Sequence, residues 1–422
     1  MLAGWSGMTE QALAGRRVLI IVENLPVPFD RRVWQEAGAL RDAGAAVTVI
    51  CPLGDKADKR SEMLDGIQVY RHPMPPEADA ALGYLLEYAA ALFWEFSLTC
   101  RVLFTRGFDV IHGCNPPDLI FLVALPFKLL GKKYVFDHHD INPELFEAKF
   151  GGQGLLWKGL KFVERLTFAT ADMSIATNES YRQIAIERGR MKPEDVFVVR
   201  SGPDLRKIAR VPPDPKWRNG RAHMVGYVGV MGEQEGLDLL MESVRHVVQV
   251  MGRHDVQFCL VGGGSSLAKV KDLAVGMGVA EYVTFTGRAP DAVLLEVLST
   301  ADVCVNPDRV NPMNDKSTMN KIVEYMALGK PIVQFEVTEG RHSAGASSLY
   351  ARPNDPADMA EQIVTLLDDP QRRAEMGRIG RERVETELSW AHQKPKLVQA
   401  YRRLFGEPRR ARDGDVVRET GA

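Results

Sequence analysis

Short apolar runs alternate with amphipathic stretches along the chain, in two series separated by an interval rich in proline. A short continuous apolar run is typical of a strand that is buried on both faces of a parallel sheet. The first series predicts strands at 17–22, 47–51, 110–112, 134–137, 173–176 and 196–199. The second series predicts strands at 224–228, 257–261, 282–285, 303–305 and 332–335, followed by helical sequence at 356–404.

The interval between the series, residues 201–220, holds four prolines and several charges, as is typical of a linker. Each series therefore predicts its own doubly wound α/β domain, with a cleft between the two that is lined by strand-to-helix loops. The predicted boundaries are an N-terminal extension at 1–16, a first Rossmann-like domain at 17–203, a linker at 204–220, a second Rossmann-like domain at 221–385, a C-terminal helix at 386–406 and a flexible tail at 407–422.

Composition narrows the class of protein. The 422 residues carry 53 lysines and arginines against 55 aspartates and glutamates, a net charge of −2, which excludes the basic footprint of a nucleic-acid-binding domain. Hydrophobic residues make up 45% and charged residues 26%, as in ordinary soluble domains. The five cysteines form no C-x-x-C pair, which argues against a zinc site and for a reducing, cytoplasmic location. No long apolar run opens the chain, so a secretory signal is not expected.

The longest apolar stretch, residues 80–104, is interrupted by Glu87, Glu95 and Arg101. At about 100° per helical residue these charges fall within one arc of about 120°, which predicts an amphipathic helix and not a membrane span. Two interpretations are open for this helix, packing against the sheet or lying on a membrane surface. The basic and apolar run at 155–162 has the same two interpretations, with an anionic membrane as the partner in the second.

The loop after the first predicted strand, residues 23–30, lacks the glycines of a dinucleotide fingerprint, which argues against a nicotinamide or flavin enzyme. Asp30 precedes a predicted helix that begins with Arg31 and Arg32. In one interpretation Asp30 caps this helix and both arginines are solvated. In the other, the helix start faces the cleft and meets an acceptor or a phosphate.

The fourth predicted strand ends in Asp137-His138-His139-Asp140. Adjacent strand residues point to opposite faces, so both imidazoles rarely reach one metal ion. A metal site, a structural histidine and a cleft histidine that contacts substrate are the alternatives, and we favour the third.

Two glycine turns follow strands of the second series. Gly229 and Gly232 follow one strand, and Gly262-Gly263-Gly264 follows the next, each before a predicted helix. Glycines at such turns let backbone N–H groups approach a phosphate closely. Neither turn is a full G-x-G-x-x-G, but the pair favours a bound nucleotide.

A polar loop at 315–319 enters a helix that ends at Gly329. Its first turn offers free N–H groups and Lys321 to an anionic group. Glu324 lies on the same face one turn further in, where its two oxygens suit a pair of hydroxyls. A diphosphate and its ribose present such groups at about this separation. The competing interpretation is an exposed ion pair between Lys321 and Glu324.

Together these motifs resemble glycosyltransferase family 4, a retaining family with the two-domain GT-B fold. The resemblance runs from Arg17 to Leu404 and is carried by VPFDRRV at 27–33, FDHHD at 136–140, LVGGG at 260–264 and KIVEYMALGKP at 321–331. The order of elements is similar too, which implies that the helix at 386–406 crosses back to the first domain.

The resemblance implies roles for individual residues. Glu324 matches the second glutamate of the family's E-x7-E motif, which holds the donor's ribose, and His139 matches the histidine beside the reacting carbon; these are the expected catalytic residues. The expected donor-binding set is Gly229, Gly232, Gly262, Gly264, Lys316, Asn320, Lys321 and Glu324. The expected acceptor-side set is Asp30, Arg31, Arg32, His138 and Asp140.

The chain departs from the family at three positions. Lys316 stands eight residues before Glu324, where the family has its first glutamate. Val230 and Glu235 replace the arginine and lysine that often bind the diphosphate. The pattern K-S-x-x-N-K at 316–321 resembles a branch associated with surface-polysaccharide assembly, in which Lys316 or Lys321 supplies the missing cation.

The resemblance implies a metal-independent transferase that moves a hexosyl or N-acetylhexosaminyl group from a UDP- or GDP-sugar to a glycan or polyprenyl-linked acceptor. The nucleotide sugar is a substrate, and no cofactor or metal is expected, because D-x-D occurs only in the predicted tail. Same-face attack, in which the leaving phosphate takes the acceptor proton, needs no separate base. The alternatives are a sugar-nucleotide epimerase of the same fold and an inactive scaffold. Contact with an anionic membrane, the inner face of the cell membrane, is a further expectation.

Overall fold

Parallel β-sheets form the centre of both halves of the protein. The computed structural model describes residues 11–54, 59–73 and 81–406, and the side chains of 81–87 are outside this description. Most of the predicted extension at 1–16 and all of the predicted tail at 407–422 lie outside the described residues.

The first sheet is built from the described strands β1 (Arg17–Val22), β2 (Ala46–Pro52), β3 (Ser61–Leu64), β4 (Ile67–His72), β5 (Val110–Cys114), β6 (Lys133–His138), β7 (Met173–Ala176) and β8 (Val196–Val198). Their order across the sheet is β3-β4-β2-β1-β5-β6-β7-β8. Neighbours are parallel except for β3 and β4, which form a hairpin at one edge. Because the central strands are covered on both faces, most positions of β1 and β2 are apolar.

The helices described in this half are α1 (Arg31–Asp42), α2 (Ala81–Thr105), α3 (Phe121–Leu129), α4 (Asn142–Phe150), α5 (Leu155–Thr170) and α6 (Glu179–Glu187). Helix α1 begins where the side chain of Asp30 accepts a hydrogen bond from the backbone N of Val33, at 3.0 Å. The buried side of α1 includes Val33, Ala37 and Leu40, as the sequence predicts. This cap fixes where the helix begins and therefore where Arg31 and Arg32, its first two residues, lie.

The polar stripe predicted on α2 is wrong at Glu95. This residue is fully buried, whereas Phe93 and Phe104 are 64% and 86% exposed. Burial raises the pKa of Glu95 well above its usual range, so the carboxyl is held neutral in the core. Glu87 is among the side chains outside the description. Among the described residues, no helix combines the length and the apolar character that a membrane span requires.

The second sheet is built from the described strands β9 (His223–Val228), β10 (Val256–Val261), β11 (Val283–Gly287), β12 (Val303–Asn306), β13 (Ile332–Phe335) and β14 (Ser348–Ala351). All are parallel, in the order β11-β10-β9-β12-β13-β14. The accompanying helices are α7 (Leu237–Arg245), α8 (Leu267–Gly276), α9 (Asp291–Thr300), α10 (Pro312–Lys316), α11 (Asn320–Ala327), α12 (Thr338–Ala344), α13 (Pro356–Asp368) and α14 (Pro370–Arg383). The predicted fold class, two wound parallel sheets, is confirmed.

The last described helix, α15 (Trp390–Leu404), packs on the first half. Its Tyr401 is buried in the same core cluster as Val33 of α1. A hydrogen bond from the backbone N of Trp390 to the carbonyl of Pro203, at 3.1 Å, fixes the crossing point. The C-terminal segment therefore becomes part of the first domain's core.

Candidate active site

A cavity of about 420 Å³ lies between the two halves. The first half contributes the start of α1, the second contributes α9 and the start of α11, and the predicted linker closes one side. Its walls include Phe29, Arg31, Arg32, Trp34, Ser201, Lys207, Ile208, Asp291, Leu294, Asn320, Val323 and Glu324.

Asn320 and Glu324, both predicted to bind a donor, line this cavity. Asn320 opens α11 and is exposed, and the side chain of Glu324 is 19% exposed one turn later. Burial raises the pKa of Glu324 above its usual range, against the nearby charge of Arg31. No described side chain caps the start of α11, so its backbone N–H groups and positive dipole end remain available to an anion.

Arg31 crosses the cavity from the first half to the second. Its guanidinium lies 3.0 Å from Oδ1 of Asp291 and 3.6 Å from Oε1 of Glu324. Because this side chain is 62% exposed, both contacts are weak and readily exchanged. Each interpretation of the helix start therefore holds in part: Asp30 is a cap, and Arg31 faces the cleft.

Lys321 lies beneath the cavity and not in it. Its side chain is 9% exposed, and its Nζ binds the carboxylates of Glu235 and Asp308, the latter at 3.0 Å. Burial acts to lower the pKa of Lys321, but the two carboxylates outweigh burial and raise that pKa above its usual value. The ammonium is thus already neutralised, in contrast to the predicted contact with a phosphate. The alternative of an exposed ion pair with Glu324 is wrong.

Replacing Lys321 by alanine is expected to lower the free energy of unfolding by about 3 kcal/mol, because the buried carboxylate of Asp308 and the partly buried carboxylate of Glu235 lose their partner. Burial already raises the pKa of Asp308 to about 7. Urea unfolding followed by circular dichroism measures the loss. Lys269→Ala is the control, since its exposed ammonium lies 3.5 Å from Glu233, and its expected cost is under about 0.5 kcal/mol. Equal losses in the two variants would contradict a buried ion cluster at Lys321.

Lys316 is the last residue of α10, and the first half holds it and the following loop in place. Its Nζ lies 3.2 Å from Oε1 of Glu144, and the side chain of Asn178 donates to the carbonyl of Lys316 at 2.8 Å. The hydroxyls of Tyr181 and Ser317 lie 3.1 Å apart. The loop directly before α11 is therefore pinned across the cleft.

The predicted glycine turns pack on each other. The backbone N of Gly229 donates to the carbonyl of Val261 at 3.1 Å. Gly262 and Gly264 have φ of +138° and +157°, and a Cβ on Gly262 would collide with the carbonyl oxygen of Gly229. A Cβ on Gly232 would meet the side chain of Gln234. Close packing between the loops accounts for these glycines, and in the described structure none of them lines the cavity between the halves.

His138 points away from the cleft. It is 1% exposed, lies against the rings of Phe136, Phe168 and Tyr181, and has its pKa lowered by burial to about 3. No described residue forms a hydrogen bond with either ring nitrogen. His138 is therefore a neutral core residue, which does not support its predicted acceptor-side role.

His139 and Asp140 are held at the end of β6 by Asn115. The side-chain oxygen of Asn115 accepts from the backbone N of His139 at 2.6 Å and from that of Asp140 at 3.1 Å. Burial raises the pKa of Asp140 above its usual range. The side chain of His139 is 15% exposed and contacts Arg32, which lines the cavity.

A buried polar cluster lies below His139, with Asp137 at its centre. The Oδ2 of Asp137 lies 2.5 Å from Nε2 of His139, and its Oδ1 accepts from Arg32 at 2.8 Å. Burial opposes ionisation of Asp137, but Arg32 and His139 outweigh burial and hold the pKa of Asp137 well below its usual range. Glu36, 2.9 Å from Arg32, has its pKa raised well above the usual range by burial. One carboxyl is therefore charged and the other neutral.

Two groups in this cluster have the chemistry of metal ligands, with ligand atoms within 4.8 Å of one another: Glu36, Asp137 and His139, and His112, Cys114 and Asp137. The guanidinium of Arg32 already contacts both carboxylates of the first group. A second cation there would meet the repulsion of this charge.

Two wound domains that face each other across such a cleft define the GT-B class of fold. Two family profiles match the chain, "Glycosyl transferase 4-like domain" over residues 30–202 and "Glycosyl transferases group 1" over residues 222–369. The chain belongs to the GT-B glycosyltransferases of the family 4 type. The predicted family is confirmed.

The individual relatives have low sequence identity to this chain. The GDP-mannose-dependent monoacylated alpha-(1-6)-phosphatidylinositol monomannoside mannosyltransferase of Corynebacterium glutamicum is 29% identical over 179 residues, 42% of this chain and 45% of the relative. The chain thus matches about half the length of such curated relatives. Sucrose-phosphate synthase from Thermosynechococcus elongatus is 20% identical, with a TM-score of 0.77 over 92% of this chain and 99% of its own. Anabaena HepE, solved with UDP-glucose, is 16% identical, with a TM-score of 0.69 over 91% and 99%. These two structures establish the likeness in fold alone.

Sequence reasoning missed four members of the buried cluster, Glu36, His112, Cys114 and Tyr401. Glu36 had a local signal, because it is a charged residue beside Ala37 on the apolar side of α1. Tyr401 had none, since it lies 289 residues from His112, its hydrogen-bond partner.

Proposed function

We propose that the protein is a retaining glycosyltransferase that moves a sugar from a UDP- or GDP-linked donor to a glycan or lipid-linked acceptor in cell-surface polysaccharide synthesis. The observation that carries this proposal is the start of α11 at the cavity, with Asn320 and Glu324 facing Arg31 of the other half. An uncapped helix start suits a diphosphate. A partly buried carboxylate one turn further on suits the two hydroxyls of a ribose.

The proposed chemistry follows from where charge develops. Departure of the nucleoside diphosphate builds negative charge on its β-phosphate, and backbone N–H groups of α11 stabilise this charge in a closed cleft. The leaving phosphate takes the acceptor proton, so neither a separate base nor a metal is required. Cationic help comes from Arg31, which lines the cavity, because carboxylates already pair with Lys321 and Lys316.

Two relatives support a nucleotide sugar as the donor. The Corynebacterium glutamicum enzyme is named as GDP-mannose-dependent, and Anabaena HepE was solved with UDP-glucose. We therefore place UDP- and GDP-hexoses and N-acetylhexosamines first among the donors to be tested.

A screen of UDP- and GDP-sugars, read out as release of the nucleoside diphosphate, tests the proposed activity. We expect slow release with one donor alone and faster release once a polyprenyl-linked glycan is added. Conversion of the donor into its epimer without release would favour the epimerase alternative. Absence of nucleoside diphosphate binding in calorimetry would favour a scaffold.

An exposed apolar and basic surface covers neighbouring helices of the first half, where α2 packs beside α3 and α3 beside α5. Its apolar members are Phe93, Phe104, Leu125, Leu129, Leu155, Leu156 and Phe162, all more than a third exposed. Lys158 and Arg165 are exposed on the face of α5 that carries Leu155 and Phe162. An anionic lipid surface complements both properties. We propose that this surface docks on the membrane that holds a lipid-linked acceptor.

The double variant Lys158→Glu, Arg165→Glu is expected to weaken membrane partition at least about 30-fold, since each basic residue near an anionic surface contributes about 1 kcal/mol. Flotation with phosphatidylglycerol-containing vesicles measures the partition. The control is Lys269→Glu, Arg372→Glu, which changes the net charge equally on the second half. Failure of the unmodified protein to float, or equal weakening in both variants, would contradict the docking proposal.

A further inference from the structure

A continuous line of buried hydrogen bonds runs from the crossing helix to the cleft. The hydroxyl of Tyr401 on α15 lies 2.6 Å from Nδ1 of His112 on β5. The Nε2 of His112 lies 3.2 Å from Oδ2 of Asp137 on β6, and Nε2 of His139 lies 2.5 Å from the same oxygen. The first three side chains are fully buried, and His139 is partly exposed. The line therefore ends at a partly exposed imidazole beside Arg32, which lines the cavity.

Donor and acceptor rules place the protons in this line. Asp137 is ionised beside Arg32, and an ionised carboxylate only accepts hydrogen bonds. The Nε–H of Arg32 also points at Nε2 of His139, from 3.0 Å, but the shorter contact of 2.5 Å with an ionised carboxylate oxygen needs the proton on Nε2. Both imidazoles then donate from Nε2 to Asp137. In a neutral imidazole the other nitrogen is then the acceptor, so His112 accepts a hydrogen bond from the Tyr401 hydroxyl at Nδ1, and Nδ1 of a neutral His139 carries a free lone pair. In the described structure no hydrogen bond reaches that nitrogen of His139.

Arg32 also restricts the orientation of the His139 ring. Its Nε lies 3.0 Å from Nε2 of His139, and its NH1 donates to the carbonyl of Val199 at 2.8 Å. Glu36 lies 2.9 Å from the same guanidinium and 3.5 Å from Nε2 of His112. The imidazole of His139 is thus held by Arg32 and Asp137, whose charges are paired.

We propose that Tyr401, His112 and Asp137 are positioning residues that hold His139 in one tautomer and one orientation, with the free lone pair of Nδ1 available to a hydroxyl in the cleft. The proposal rests on the proposed function, in which that hydroxyl belongs to the donor sugar or the acceptor. The crossing helix then contributes to the geometry of the site as well as joining the two halves.

Tyr401→Phe tests this line of hydrogen bonds, because it removes the Tyr401 hydroxyl and keeps the buried ring. We expect kcat to fall about fivefold, the effect of one lost hydrogen bond, with the donor KM unchanged within about twofold. Tyr134→Phe is the matched control, since it removes a buried hydroxyl of β6 that has no hydrogen-bond partner among the described residues. Equal kcat values for the two variants would overturn the proposal.

A double-mutant cycle separates positioning from general stability. If Tyr401 acts through His139, adding Tyr401→Phe to His139→Ala costs no further activity, whereas a second fivefold loss would overturn the proposal. Nitrogen NMR of the unliganded protein gives a reading that does not depend on activity. We expect His139 protonated at Nε2 in the unmodified protein and a mixture of tautomers in Asp137→Asn. An unchanged tautomer of His139 in Asp137→Asn would overturn the proposal that Asp137 positions His139. A changed tautomer in a protein without transferase activity would count against the proposed function alone.

Discussion

Replacing Glu324 by alanine is expected to weaken the binding of a nucleoside diphosphate about 100-fold. The Glu324 carboxylate is proposed to accept hydrogen bonds from two hydroxyls of the ribose. Hydrogen bonds to a charged group contribute about 1.5–3 kcal/mol each. A loss of about 3 kcal/mol corresponds to roughly a 100-fold change in dissociation constant. Isothermal titration calorimetry with UDP and GDP measures this change.

The matched control for Glu324→Ala is Glu361→Ala, which removes an exposed helical glutamate from the same half. The control is expected to bind the nucleotide as the unmodified protein does. The contact between Arg31 and Glu324 must break when a ribose enters, and at 3.6 Å on an exposed arginine this costs little. Equal affinities for the two variants would contradict a ribose site at Glu324.

Replacing His139 by alanine is expected to lower kcat about 100-fold, because a small misplacement of reacting groups has an effect of this size. The dissociation constant of the donor nucleotide should change by less than about threefold, since the proposed nucleotide contacts lie on α11. Single-turnover and steady-state assays with the identified donor separate the two quantities.

The neighbouring residue provides the control for this prediction. His138→Phe replaces one buried ring by another among Phe136, Phe168 and Tyr181, where the imidazole nitrogens have no described partner. We expect kcat unchanged within about twofold and a stability equal to or above that of the unmodified protein. A larger loss of activity in His138→Phe than in His139→Ala would reverse the assignment of the cleft-facing histidine.

The central strands could be predicted from the sequence because strands buried on both faces need continuous apolar runs. The predicted strand 17–22 has the same bounds as β1. The edge hairpin of β3 and β4 was missed, because its strands include Glu62, Gln68 and Arg71 and show no apolar run. The Asp65-Gly66 turn between them was the available signal.

Helical spacing predicts which residues share a face, but not what covers that face. Glu95 was placed on a solvated stripe and is buried against the sheet. Lys321 was placed beside an anionic ligand, yet Glu235 and Asp308 reach it from other loops. Both cases concern charged side chains whose partners come from distant parts of the chain, where spacing carries no information.

The alternation of side chains along a strand was informative at the DHHD segment, since it predicts that His138 and His139 face opposite sides. The tertiary contacts that give each histidine its environment were beyond prediction. The partners of His139 include Arg32, 107 residues away. The line of buried hydrogen bonds that begins at His139 ends at Tyr401 on the last described helix.

A crystal structure of the protein with bound UDP or GDP is the most direct test of the account. It should show both ribose hydroxyls within hydrogen-bonding distance of the Glu324 carboxylate and the diphosphate at the backbone N–H groups that open α11, with Arg31 displaced. A nucleotide bound elsewhere, with Glu324 still facing Arg31, would contradict the account.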